Sequence, residues 1–288
     1  MEVIMADCAG FCFGVKRAVD AVYELLRTEQ HICTYGPIVH NESVVEDLKA
    51  RGVRVLETKE DLEALDPAEH TTVVIRAHGV GEEIYDLLRR KNVTVRDLTC
   101  PFVAKIHRTV KEAATEGKHI YIAGDPAHPE VMGILGWCDG NGTVAQSPEA
   151  AQILADSEEF GREPYCLVAQ TTYQPKNFTQ IVDIFAKKGY NGSVVNTICN
   201  ATRERQEAAA RLAEQVDYMI VIGGKNSSNS RKLYEICCSK CPHTVYIQTL
   251  DDLNLELPKS VRKVGITAGA STPQNIIEEV QKHVRADF

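Results

Sequence analysis

Three cysteines stand out by their surroundings. In "GFCFGVKRAVDAV", "TCPFVAKIHRTVKEA" and "ICNATRERQEAAARLA", residues Cys12, Cys100 and Cys199 each separate an apolar run from an amphipathic helix pattern. A thiol at such a turn is a soft metal ligand or a nucleophile. His40, His128 and Ser227 each lie 28 residues beyond one of these cysteines, with no gap in any of the three intervals. A wider set of polar side chains gathers at similar places: His78, Thr171, Thr172, Ser228, Asn229 and Ser271. Imidazoles, hydroxyls and amides near glycines and helix starts suit a small anion such as a phosphate or diphosphate. Glu130, two residues after His128 in "HPEV", is either a buried proton donor or an acid favoured by the first turn of a helix.

The elements that must position these residues repeat three times. After each cysteine helix comes a strand ending in glycine ("HICTYG", "HIYIAG", "DYMIVIGG"), then the first polar stretch. An acidic helix start comes next ("TKEDLEAL", "SPEAAQIL", "TLDDLNLE"), then a strand running into the second polar stretch ("VVIRAHGV", "CLVAQTTY", "VGITAGAST"). A last helix and the strands "VTVRDLTC" or "SVVNTIC" close the first two units, and the N-terminal "MEVIMADCAGFC" has the form needed to close the third. Alternating strands and helices imply an α/β fold with mostly parallel sheets. The expected architecture is three pseudo-threefold-related lobes at 14–98, 99–196 and 197–288 plus 1–13.

Ligands of open parallel sheets sit beyond the carboxyl ends of the strands, where all three cysteines and all six polar stretches fall. A threefold arrangement turns them toward one centre. Intervals of 88 and 99 residues between the cysteines do not match a local zinc signature. A central 4Fe–4S cluster with one iron not ligated by cysteine suits three equivalent donors, and zinc held by three thiolates is the alternative. Cys8, Cys33, Cys138, Cys166, Cys237, Cys238 and Cys241 read as packing residues, although "CCSKC" contains a C-x2-C without a partner pair. Arg76 and Lys225 read as surface or structural residues. The net charge of −8 and the lack of a basic block argue against nucleic acid. There is no apolar run of membrane-spanning length and no secretory signal pattern, so the expected compartment is the cytoplasm. No dinucleotide or flavin fingerprint is present, so electrons would come from a partner. The rival readings are a non-redox iron–sulfur dehydratase, an electron carrier or iron sensor, and a zinc hydrolase.

The motifs "GFCFGVKRA", "VHN", "AHGV", "TCP", "HPEV", "QTT", "NTIC", "KNSSNS" and "TAGAS" occur in unbroken order from about residue 3 to residue 275. Together they resemble the LytB/IspH family of 4-hydroxy-3-methylbut-2-enyl diphosphate reductases. The resemblance implies an iron–sulfur cluster on Cys12, Cys100 and Cys199. It implies substrate contacts from His40, His78, His128, Thr171, Ser227, Ser228, Asn229 and Ser271, with Thr202 as a weaker match. Glu130 would be the proton source, acting with His128 and Thr171. It further implies an allylic diphosphate substrate, reduced by two electrons from a ferredoxin or flavodoxin.

Overall fold

The computed structural model describes residues 2–189, 191–254 and 260–286. Residues 1 and 288, the outer limits of the expected third lobe, and the end of "TLDDLNLE" lie outside the described residues. Among the described residues, twelve strands form three four-stranded sheets, every pairing parallel. The strands are β1 (Glu2–Met5), β2 (Ile32–Tyr35), β3 (Arg54–Leu56), β4 (Thr72–Ile75), β5 (Thr94–Asp97) and β6 (His119–Ala123). They continue as β7 (Gly142–Ala145), β8 (Tyr165–Ala169), β9 (Gly192–Val194), β10 (Tyr218–Ile222), β11 (Thr244–Ile247) and β12 (Lys263–Ala268).

The sheet orders are β3-β2-β4-β5, β7-β6-β8-β9 and β11-β10-β12-β1. The same order thus recurs three times, with the N-terminal strand in the place that β5 and β9 hold elsewhere. Register is equally regular: Tyr35 pairs with Ile75, Ala123 with Ala169, and Ile222 with Ala268 at the carboxyl ends of the central strands. The α/β architecture of three parallel-sheet lobes is the one the repeat implies.

Helices α1 (Phe13–Leu25), α5 (Pro101–Thr115) and α9 (Asn200–Ala213) begin directly after Cys12, Cys100 and Cys199. The helices that come after β2, β6 and β10 are α2 (Glu42–Ala50), α6 (Pro129–Leu135) and α10 (Ser228–Cys238). The others are α3 (Lys59–Glu63), α4 (Glu82–Lys91), α7 (Pro148–Asp156), α8 (Pro175–Ala186) and α11 (Gln274–Ala286). The expected helix start at "TLDDLNLE" is a single 3-10 turn, Leu250–Asp252, closed by a capping box between Thr249 and Asp252.

The chain forms two compact units. One comprises Met1–Asp20, Val39–Arg51 and Asn200–Phe288, and so carries the third sheet together with α2. The other comprises Ala21–Ile38 and Gly52–Cys199, with the first and second sheets. Helices cover both faces of the second sheet, so its central strands are apolar throughout rather than alternating with polar residues. Tyr121, Tyr165 and Leu167 pack on one face with Phe160 and Phe185, while Ile120, Ile122 and Val168 meet Ile106, Val110 and Ile134 on the other. The third sheet divides in the same way, with Ile220, Ile222 and Ile266 on one face and Met219 and Val221 on the other. Five of the seven cysteines expected to be packing residues are buried, and Cys8 and Cys238 are exposed.

Candidate active site

Each of the three cysteines ends a short arm that leaves the edge strand and enters a helix. Their backbones are held alike: the N–H of Cys12 donates to Ala270 O (3.2 Å), that of Cys100 to Ala77 O (3.0 Å) and that of Cys199 to Thr171 O (3.0 Å). In every case the acceptor lies two residues beyond the central strand, because β12, β4 and β8 end at Ala268, Ile75 and Ala169. All three thiols are half-buried, and no disulfide links any of the ten cysteines. Cys238 and Cys241 do not form a matched pair, since the first is exposed and the second is buried against backbone carbonyls.

In the unit of the first two sheets, Glu130 is 2% exposed and bound twice to one residue. Thr171 N donates to Oε1 (2.6 Å) and Thr171 Oγ1 to Oε2 (2.7 Å). Burial raises the pKa of this carboxyl, and the two Thr171 bonds partly oppose the rise by favouring the anion. A buried carboxyl with a raised pKa, hydrogen-bonded to a hydroxyl, is chemically able to hold and pass on a proton.

His128 is the N-cap of α6, its Nδ1 accepting from Glu130 N (3.1 Å). A nitrogen that accepts carries no proton, so His128 is a neutral imidazole with its N–H at Nε2 while this cap is made. The ring stands edge-on to that of His78, with centroids 5.4 Å apart. Thr172 Oγ1 and Gln170 Nε2 are buried without a hydrogen-bond partner among the described residues. Arg76 lies over Gly36 beside Tyr35, with its pKa lowered to about 10 by burial, so it stays charged.

In the unit of the third sheet, Ser227 caps α10 and is a hydroxyl hub. Its Oγ meets Ser230 Oγ (2.8 Å) and Ser271 Oγ (3.1 Å), and it accepts from Ser230 N (3.3 Å). Asn229, 5% exposed, leaves both Oδ1 and Nδ2 buried without a partner among the described residues. An amide left unpaired among hydroxyls at a helix N-terminus is available to a polar ligand or to water. Ser228 is half-buried, Thr202 is buried in the first turn of α9, and Lys225 is exposed. His40 precedes Asn41, the N-cap of α2, and its carbonyl sits so close to Gly224 that any side chain there would clash.

Three contributors escaped the reading of the sequence. Ser230, fully buried, completes the hydroxyl hub and stands in plain view in "KNSSNS", one turn past the cap. Asn41 accepts from Val44 N and Ser43 Oγ, and its place before a helix pattern is a legible capping signal. Gln170 accepts from Asp125 N through Oε1 (3.1 Å) and has no comparable signal in sequence.

The fold and these strand ends define a three-lobed α/β protein whose polar groups gather where parallel sheets take their ligands. The LytB protein family matches residues 3–285. A 4-hydroxy-3-methylbut-2-enyl diphosphate reductase from Caldanaerobacter subterraneus subsp. tengcongensis is 43% identical, over 99% of this chain and 97% of its own. The protein of that name from Aquifex aeolicus is 42% identical, over 99% and 96%. A solved structure of (E)-4-hydroxy-3-methyl-but-2-enyl diphosphate reductase, the terminal enzyme of the non-mevalonate pathway, superposes with a TM-score of 0.70 at 41% identity. It is covered completely, against 99% of this chain. The reductase structure from Plasmodium falciparum gives a TM-score of 0.88 at 28% identity, over 99% of this chain and 87% of that one. The chain belongs to the LytB protein family. Among its described residues, no helix is long and apolar enough to cross a membrane.

Proposed function

We propose that this chain is a 4-hydroxy-3-methylbut-2-enyl diphosphate reductase, converting its substrate to isopentenyl and dimethylallyl diphosphate in the last step of the methylerythritol phosphate route. The reading is carried by full-length relatedness to proteins of that name together with the Glu130–Thr171 pair. The reaction removes the allylic hydroxyl as water: one C–O bond breaks, one C–H bond forms, and two electrons and two protons are consumed.

Three half-buried thiols, each ahead of a helix and each held by an equivalent backbone bond, are a donor set fit for a metal–sulfur group. In this reading Cys12, Cys100 and Cys199 hold a 4Fe–4S cluster with one iron not ligated by cysteine. When bound, that group supplies the electrons and an open iron for the substrate oxygen. In this reading the lobes are bounded at 14–98, 99–196 and 197–288 plus 1–13.

The chain's own residues do the rest. Ser227, Ser228, Asn229 and Ser271 donate to the diphosphate, aided by the N-terminus of α10, and His40, His78 and His128 add imidazole donors. Neutral His128 donates from Nε2. Fixing this remote, non-reacting group lowers the entropy cost of placing the hydroxyl for reaction. Glu130 holds a proton at neutral pH more readily than an exposed carboxyl, and Thr171 passes it to the leaving oxygen through its hydroxyl. Thr202, buried in the first turn of α9, is a weaker candidate for a substrate contact. Electrons arrive from an external ferredoxin or flavodoxin, in the cytoplasm.

The test is anaerobic: assay iron and acid-labile sulfide in the purified protein, then add the hydroxylated diphosphate with a strong one-electron donor. Substrate-dependent donor oxidation with both isoprenoid products supports the reading. A cluster without turnover moves the protein to a non-redox or sensing role, and zinc or no metal removes the cluster assignment.

A further inference from the structure

The three cysteine arms are not built alike. Cys100 and Cys199 lie three residues after Asp97 and Asn196, whereas Cys12 lies five after Asp7, the matching position by strand register. In the two short arms the side chain at that position folds back on the chain. Asp97 Oδ1 accepts from Thr99 N (2.9 Å), and Asn196 Oδ1 accepts from Ile198 N (3.1 Å). Each is an Asx turn that fixes the residue just before the cysteine. Tyr85 OH donates to Asp97 Oδ2 (2.9 Å), bracing the first.

The long arm uses another device. Its two extra residues make a turn in which Cys8 has a φ of 63° and Gly10 a φ of 93°. Cys8 is a non-glycine residue in the left-handed region, a conformation that persists only where its surroundings impose it. A side chain at Gly10 would be strained by this φ, and its Cβ would stand 2.8 Å from Ile277 Cδ1. Past this turn the arm regains the register of the others: Gly10 N donates to Ala268 O (3.4 Å), as Leu98 N does to Ile75 O (2.9 Å). Arg205, 3% exposed on α9, spans the inside of the turn. Its Nε donates to Cys8 O (2.9 Å), its Nη2 to Gly10 O (2.8 Å) and its Nη1 to Ala201 O (3.3 Å) in its own helix.

We propose that Arg205 is the positioning residue of the Cys12 arm, doing with its guanidinium fork what the Asx turns do for Cys100 and Cys199. The proposal rests on the cluster reading above. The planar fork is suited to the task because it holds two carbonyls in a fixed geometry from separate nitrogens of one rigid group, whereas an ammonium donates from a single freely rotating nitrogen.

The experiment uses full-length, anaerobically reconstituted protein. Iron is withdrawn with a chelator while a thiol reagent labels each cysteine as it is released, and mass spectrometry gives the order. Arg205→Met is expected to release iron about tenfold faster, the scale of losing a charge-assisted hydrogen bond, with Cys12 labelled first. Asp97→Ala should instead expose Cys100 first. Methylguanidinium should slow the release from Arg205→Ala. Arg205→Lys, which keeps the charge but loses the fork, provides a milder variant and should still favour Cys12. Wild-type order and rate in Arg205→Met, or parallel labelling of all three cysteines with buried Cys33, would overturn the proposal. If wild-type protein holds no iron, the cluster reading fails on its own. The same labelling of the metal-free chain then decides the role of Arg205 by whether Cys12 alone is accelerated.

Discussion

Replacing His107 with leucine should flatten the acid side of this protein's stability curve. His107 lies on α5, 4% exposed, stacked on Trp137 at 5.4 Å between ring centroids and 19° between planes. Its Cε1 also crowds the space above Gly79, and its buried Nε2 has no hydrogen-bond partner among the described residues. Burial pushes the imidazole pKa down from 6.5 to about 4, against a small upward pull from Asp97. Between those values the unfolded chain binds a proton that the folded chain refuses. The contribution is therefore complete above pH 6.5 and is lost as pH falls toward 4. A shift of that size corresponds to roughly 3 kcal/mol at 1.36 kcal/mol per unit. That is a large fraction of the ~5–15 kcal/mol that holds a typical domain together.

The assay is urea unfolding monitored by fluorescence of Trp137, the only tryptophan and the direct neighbour of His107. Midpoints should fall steeply for the wild type between about pH 6.5 and 4, and markedly less for His107→Leu. The comparison rests on slopes, so any fixed cost of losing the ring cancels. Parallel curves for the two proteins would refute the reasoning and place the acid sensitivity elsewhere.

Glu130→Gln should keep iron and substrate binding yet lose about 10²–10⁴-fold in turnover, since an amide cannot donate the proton; near-normal turnover would exclude Glu130 from the relay. The same variant tests a stability sign. The raised carboxyl pKa contributes fully below about 4.5 and is lost as pH rises through its folded value, so the variant should lack that decline. Cys100→Ser should lose or cripple iron binding in reconstituted protein, and a wild-type iron-to-protein ratio would contradict the ligand assignment.

The scaffold was legible in the sequence because its repeat contains no gaps over the stretch that matters. The interval from Cys12, Cys100 and Cys199 to His40, His128 and Ser227 is 28 residues in each lobe, and it spans one helix, one strand and one turn, all of which must be superposable. The strand "EVIM" could be assigned to the last sheet because "VTVRD" and "GSV" precede cysteines in the same way, and β1 does pair with β12. Other features depend on partners distant in sequence. Nothing local marks Arg205 as the brace of a loop 195 residues away at Gly10. The charge state of His128 was equally hidden. Its sequence context invited a protonated imidazole, and only the cap bond to Glu130 N shows that Nδ1 is an acceptor. The third acidic helix start failed for a local reason, since its capping box closes a single 3-10 turn.

The repeat also explains why the carboxyl–hydroxyl pair proposed as the proton relay occurs in one lobe. Positions two residues after His40, His128 and Ser227 are Glu42, Glu130 and Asn229, so two lobes have a carboxyl there. The residues that accept the cysteine N–H bonds are Ala77, Thr171 and Ala270, so one lobe has a hydroxyl there. Carboxyl and hydroxyl coincide in the second lobe alone, at 2.7 Å. Thr171→Val removes the hydroxyl, keeps the shape and leaves the backbone N–H on Glu130 Oε1. Because the Thr171 bonds hold the Glu130 pKa down, losing one should raise it further. Glu130 should then stay protonated to higher pH while turnover drops by about 10²-fold, because the proton has lost its path. Thr171→Ser should restore both turnover and the pH profile. Wild-type turnover with an unshifted pH profile in Thr171→Val would mean that the pairing is structural and that the proton takes another route.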